Sequence, residues 1–136
     1  KNKNSAMLEH AILDKCSERF VREPGLVAAW IFGSAVSGRL REDSDVDFAL
    51  HYQPGVEPIW SALGELAWDL ESILGRKADL GRLNSRNLVY AVQAFRTGRL
   101  IYAADEQAAI AFASRLQSLY LDLKQDRKVV EEAYCA

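Results

Sequence analysis

The sequence predicts an α/β (α+β) fold in which a small mixed β-sheet is flanked by helices and followed by a long C-terminal helix. Three observations carry that expectation. Apolar runs of strand length interleave with amphipathic stretches of helix length, the pattern of helices packed on a sheet. The segment 45–51 alternates strictly, with Asp45, Asp47 and Ala49 on one side and Val46, Phe48 and Leu50 on the other. The link between Phe32 and Asp45 is too short for a helical crossover, so the first two strands run antiparallel and the sheet is mixed.

The elements follow in order. Leu8, Ile12, Cys16 and Phe20 form a stripe at i, i+4 steps and predict a helix over 6–21, ended by Pro24-Gly25. Leu26 to Phe32 is apolar and rich in strand formers, a buried strand. Gly33-Ser34 opens a loop or a single helical turn, and Gly38 is a second break. After the alternating strand, Pro54-Gly55 is a turn. Residues 58–74 form a helix with Ile59, Leu63, Leu66, Leu70 and Ile73 on one face, Trp68 nearly opposite and Gly75 in the C′ position. Residues 76–83 are the third strand. Asn84 or Ser85 caps a helix over 86–96, which Gly98 stops. Leu100 to Tyr102 is a short strand. Asp105 then caps a helix reaching Arg127 or beyond, with Phe112, Leu116, Leu119, Tyr120 and Leu123 on its face.

Composition bounds the function. A chain of 136 residues suits one domain, read here as a single unit over 1–136, and can bury a core without disulfides or a structural metal. Residues 1–6 read as a disordered or expression-derived leader, with Met7 as the candidate native start. A net charge of −2 argues against direct nucleic-acid binding. No apolar run approaches the length that spans a membrane. Cys16 and Cys135 form no ligand spacing with His10 or His51 and fit a reducing cytoplasm.

The chemistry concentrates in Gly33-Ser34 and Asp45-Val-Asp47. Alternation sets the two carboxylates on one face, Cα atoms roughly 6.6 Å apart. Like charges that close repel, and burying them is costly; a divalent cation relieves both problems, and hard oxygen ligands suit Mg²⁺. Ion pairs of this kind clamp the attacking and leaving oxygens of nucleotidyl transfer. Asp79, the lone acid of the third strand, completes a triad if it faces the same way, and would then bind the second ion and lower the pKa of an incoming hydroxyl, or accept its proton. Gly33 lets backbone approach a phosphate, Ser34 offers a hydroxyl and an N–H at the start of a turn of helix, and Gly38 lets the loop fold back. Arg39 and Arg41 are placed to meet a triphosphate tail.

Gly33-Ser-Ala-Val-Ser-Gly-Arg39, about ten residues, and Ser44-Asp-Val-Asp-Phe-Ala-Leu50 resemble the signature of the polymerase-β-type nucleotidyltransferase superfamily. The short chain resembles its minimal branch, and the residues are similar to those of MntA-like antitoxins, partners of HEPN-domain (HepT-like) toxins. The likeness extends through Asp79-Leu-x-x-Leu-Asn84, Gly98-Arg-Leu-Ile-Tyr102 and Tyr120-Leu-Asp-Leu-Lys124. It implies the polymerase-β-type nucleotidyltransferase fold and a type VII HEPN/MNT toxin–antitoxin system. It also implies Mg²⁺-dependent transfer of AMP from ATP to a tyrosine of the RNase toxin. Asp45, Asp47 and Asp79 would then be the metal-binding and catalytic residues, with two ions, and Gly33, Ser34, Gly38, Arg39 and Ser44 would contact the nucleotide. In the relatives apolar residues follow the third acid; here Gly81 and Arg82 predict an early strand end.

Two other readings stand beside this one. A small-molecule acceptor is the first, although such enzymes usually carry an added helical domain. The second is neutralisation of a partner by binding alone. Trp68, Ile110 and Leu121 suggest an apolar surface for a partner, whether a toxin or a second copy in a homodimer. His51 reads as a strand-end residue, and Tyr52, Tyr90, Tyr102, Tyr120 and Tyr134 as packing residues.

Overall fold

Leu26–Phe32 (β1) and Val46–Tyr52 (β2) pair antiparallel, with Trp30 opposite Ala49 and Phe32 opposite Asp47. Ala78–Arg82 (β3) lies parallel to β2, and Arg99–Ala103 (β4) pairs antiparallel with β1 on the other side. The sheet is thus mixed, in the order β3-β2-β1-β4. The helices are His10–Val21 (α1), the short turn Ser34–Ser37 (α2), Trp60–Leu74 (α3), Leu88–Thr97 (α4) and Glu106–Cys135 (α5). This computed structural model describes residues 8–135; the expectations for the leader and Met7 fall outside them.

Both faces of the sheet are covered, which is why the central strands read as nearly continuous apolar runs. On one face Ile31, Val46, Phe48 and Leu50 pack against Cys16 and Phe20 of α1 and Leu66 and Leu70 of α3. Phe20 meets Phe48 edge-on, ring centroids 5.5 Å apart. Cys16 is fully buried there, and burial pushes its thiol up to about 11. α1 and α3 are further tied by Arg19, which donates from Nε to Asp69 at 2.7 Å and from Nη1 to Glu23 at 3.1 Å. On the other face the small residues Ala28, Ala49, Ala91, Ala94 and Ala109 let α4 and α5 approach closely, and Trp30, Phe95 and Phe112 fill the remaining space.

Several expectations need correction. α1 starts at His10 rather than at residue 6, after Glu9 in extended geometry. Ile59 lies outside α3 and is 67% exposed, because it precedes the first helical residue and so escapes the core-facing stripe. Trp68 is exposed as its angular position requires, and Trp60, which the periodicity left unremarked, is more exposed still. Neither Asn84 nor Ser85 caps α4. Asn84 instead accepts the Arg86 N–H at 2.9 Å, a side-chain turn that delays the helix to Leu88. Asp105 does cap α5, accepting from Ala108 at 3.2 Å. That helix runs well past Arg127, and beyond Leu116 it leaves the sheet. Leu119 and Leu123 are therefore exposed rather than core.

Leu66→Ala removes a fully buried side chain between α3 and the sheet. Urea unfolding should show a loss of about 2–5 kcal/mol. Trp68→Ala, at a side chain 71% exposed, should stay within about 0.5 kcal/mol of wild type.

Candidate active site

Asp47 sits on the central strand β2, between Phe32 of β1 and Asp79 of β3. Parallel pairing puts Asp79 directly beside Asp47, and period-2 alternation sends both side chains to the face covered by α4 and α5. Asp45 immediately precedes β2, on the same side by alternation and exposed. The three sequence-selected acids therefore come to one end of the sheet. Val46 donates to the Lys77 carbonyl at 2.8 Å, which locks β3 in this register.

The electrostatics reflect the crowding. Burial, then the charges of Asp79 and Asp45, and a hydrogen bond shared with Asp79 raise the Asp47 carboxyl above its ordinary 3.8. Among the described residues no three His, Cys, Asp or Glu side chains gather tightly enough to cage a metal by themselves. A hard cation here would need water and substrate phosphate oxygens to complete its shell. The donor set is all hard oxygen, and the unfavourable Asp47–Asp79 contact is one that a cation relieves.

Gly33 is required twice over. Its φ of +81° is a backbone conformation that favours glycine, and a Cβ here would stand 2.6 Å from Asp47 Oδ2. The turn of α2 starts at Ser34 and ends at Gly38, again with positive φ. The chain then passes Arg39, which is exposed, to Leu40, which is buried and anchors the loop. Ser44 Oγ accepts the Arg41 N–H at 2.8 Å, and Ser44 returns its own N–H to the Arg41 carbonyl at 3.1 Å. Arg76 braces this turn by donating to the Arg41 carbonyl. Ser44 is thus committed to shaping the approach to Asp45.

β3 runs from Ala78 to Arg82 rather than over 76–83, so it ends early at Arg82 as expected, with Gly81 still inside the strand. Gly81 makes room for an aromatic ring. A Cβ there would lie 2.0 Å from the Tyr90 hydroxyl. Tyr90 packs edge-on against Phe32, centroids 5.6 Å apart. Burial, then the nearby Asp79 and Asp47 charges, push its phenol up to about 12, so it stays protonated beside the acids. Tyr90 is a packing residue, as expected, and also borders the carboxylates. The signal that could have revealed this was the glycine two residues after Asp79. His51 lies at the opposite end of β2, stacked on Phe112 with centroids 3.5 Å apart.

With fold and site in place, comparison with known proteins defines the class. Residues 14–107 match the family "Polymerase beta, Nucleotidyltransferase", more than half of the chain, and the protein belongs to that family. It is similar to protein adenylyltransferase MntA of Shewanella oneidensis, 29% identical over 79% of this chain and 75% of that one. A crystallised double Asp-to-Glu mutant of an MntA toxin–antitoxin complex contains a chain of the same fold, with a TM-score of 0.73 and 25% identity. That match covers 91% of this chain and 98% of the other. A toxin–antitoxin complex with AMP-PNP matches at TM-score 0.71 and 26% identity, covering 95% and 100%.

Gly33→Ala should strain the backbone and push on the Asp47 carboxylate. We expect a fall in stability of about 1–2 kcal/mol by urea titration, and a larger proportional loss of transferase activity. Asp47 carries a raised pKa, so its ionisation weakens the metal-free fold as pH rises above 3.8. Metal-free Asp47→Asn should consequently match wild type in acid and melt at an equal or higher temperature at neutral pH, read from thermal unfolding at several pH values.

Proposed function

We propose that this protein is the antitoxin enzyme of a type VII HEPN/MNT pair, acting in the cytoplasm. It transfers AMP from ATP to a tyrosine hydroxyl of its cognate HEPN-domain RNase and thereby silences it. The observation that carries this reading is the pairing of Asp47 with Asp79, with Asp45 two residues ahead and the Gly33-Ser34 corner against the same carboxylate. A protein acceptor is supported by the similarity to an MntA named as a protein adenylyltransferase. ATP is supported by the similarity to a toxin–antitoxin complex crystallised with AMP-PNP.

Each residue has a role on this reading. Asp45, Asp47 and Asp79 would hold Mg²⁺, as two ions, which when bound would neutralise the acid cluster and supply charge stabilisation to the transfer. Gly33 admits the β- and γ-phosphates close to backbone, and Ser34 donates its hydroxyl and N–H to them. Gly38, Arg39 and Ser44 shape and charge the side by which pyrophosphate departs. Asp79 receives the proton of the tyrosine hydroxyl as its oxygen bonds to the α-phosphorus. The bond from that phosphorus to the β-bridging oxygen breaks, and pyrophosphate carries away the electron pair. The exposed Trp68, Ile110 and Leu121 are apolar side chains that a toxin, or a second copy in a homodimer, would cover.

The test is incubation of the protein with labelled ATP, Mg²⁺ and a HEPN-domain partner. Label should appear on a partner tyrosine and RNase activity should fall. Asp47→Asn should lower the labelling rate about 100-fold or more, since metal-borne charge stabilisation is worth several kcal/mol. Equal neutralisation by Asp47→Asn without label would instead establish control by binding alone.

A further inference from the structure

Two of the protein's three tryptophans stand in solvent on α3, on the side of the sheet away from α4 and α5. Trp60 is 89% exposed and Trp68 71% exposed. Trp60 opens the helix, and Trp68 follows it by eight residues. At about 100° per residue they lie roughly 80° apart around the helix, with Gly64 midway between them. This face is turned away from the stripe of Leu66, Leu70 and Leu74 that the sheet buries. Gly64 is exposed, and a Cβ added to it would meet nothing within 4 Å. A glycine inside a helix weakens it relative to alanine, and no close neighbour within the chain accounts for this one.

The stretch Trp60-Ser-Ala-Leu-Gly-Glu-Leu-Ala-Trp68 reads nearly the same in both directions about Gly64. In an antiparallel pair of α3 helices related by a two-fold axis, the residue on the axis meets its own copy. Every other residue meets the one equally far beyond it. With the axis at Gly64, each Trp60 lies level with the partner's Trp68, and each Ser61 level with the partner's Ala67. Glycine and these small side chains let the two backbones approach, and the indoles close over both ends of the contact. Burying an indole removes on the order of 200 Å² from water, so the four of a pair supply about 800 Å² of the roughly 1,000 Å² that a specific interface needs. Glu65, the acid next to the axis, lines a surface hollow together with Arg22 of α1, which offsets its charge at the rim. The acids of the candidate active site face α4 and α5, so pairing through α3 leaves them open.

We propose that α3 is a homodimer surface, two copies of this chain pairing antiparallel through Trp60, Gly64 and Trp68. The pairing is independent of which acceptor the acids serve. Sedimentation velocity of the full chain should show a mass that rises with concentration from one chain to two. Tryptophan emission should shift to the blue over the same range, with the buried Trp30 as a constant background. The double variant Trp60→Ala/Trp68→Ala, and separately Gly64→Leu, should each weaken association by about tenfold or more. When dilute, both should unfold at the same urea concentration as wild type or a higher one, because the replaced positions face solvent. In a Cys135→Ser background, Gly64→Cys should form a disulfide between copies under mild oxidation. Ser72→Cys, exposed further along α3 and far from the axis, should not. A chain that stays single at every concentration, or association unchanged in both the tryptophan and the glycine variants, would overturn the proposal. So would equal cross-linking at position 72, or indoles that become buried only when a HEPN-domain partner binds.

Discussion

The structure is organised around the side-by-side placement of Asp47 and Asp79 on adjacent parallel strands. No fold gains stability from two carboxylates in that position, so everything nearby serves to impose it. β2 is held on both sides by β1 and β3. The Val46–Lys77 backbone bond fixes the register, and Glu71 of α3 accepts the Ala78 N–H at 3.0 Å, seating the start of β3. A central, doubly covered strand is among the most rigid parts of a sheet, so Asp47 stays placed before any ligand arrives, while Asp79 on the edge strand and Asp45 ahead of β2 remain exposed beside it.

The same placement explains the unusual residues around it. Gly33 yields its Cβ space to the Asp47 carboxylate, and Gly81 yields its own to the Tyr90 ring. These two glycines work by close approach on the crowded side of the sheet. On the opposite side, large apolar residues from α1 and α3 supply the burial that offsets the repulsion.

Much of this was legible in the sequence because it obeys short periods. Alternation in 45–51 placed Asp45 and Asp47 together, the short link from Phe32 required a hairpin, and the lone acid at 79 had only one useful partner. What stayed hidden depended on the third dimension. Gly81 reads locally as a strand breaker, and only the arrival of α4 shows that it seats Tyr90. Ile59 shares the angular phase of the α3 core stripe but precedes the helix, where that phase no longer applies. Leu119 and Leu123 keep the period of the α5 face after the surface beneath it has ended.

Cys16 adds a consequence of its own. Its sulfur lies under α1 with no solvent contact, and burial disfavours the thiolate that electrophiles attack. Alkylation must therefore wait for the first helix to lift from the sheet. With Cys135 replaced by serine, the modification rate becomes an internal clock of that opening, and it times how often the layer behind the central strands comes undone while the rest of the molecule holds.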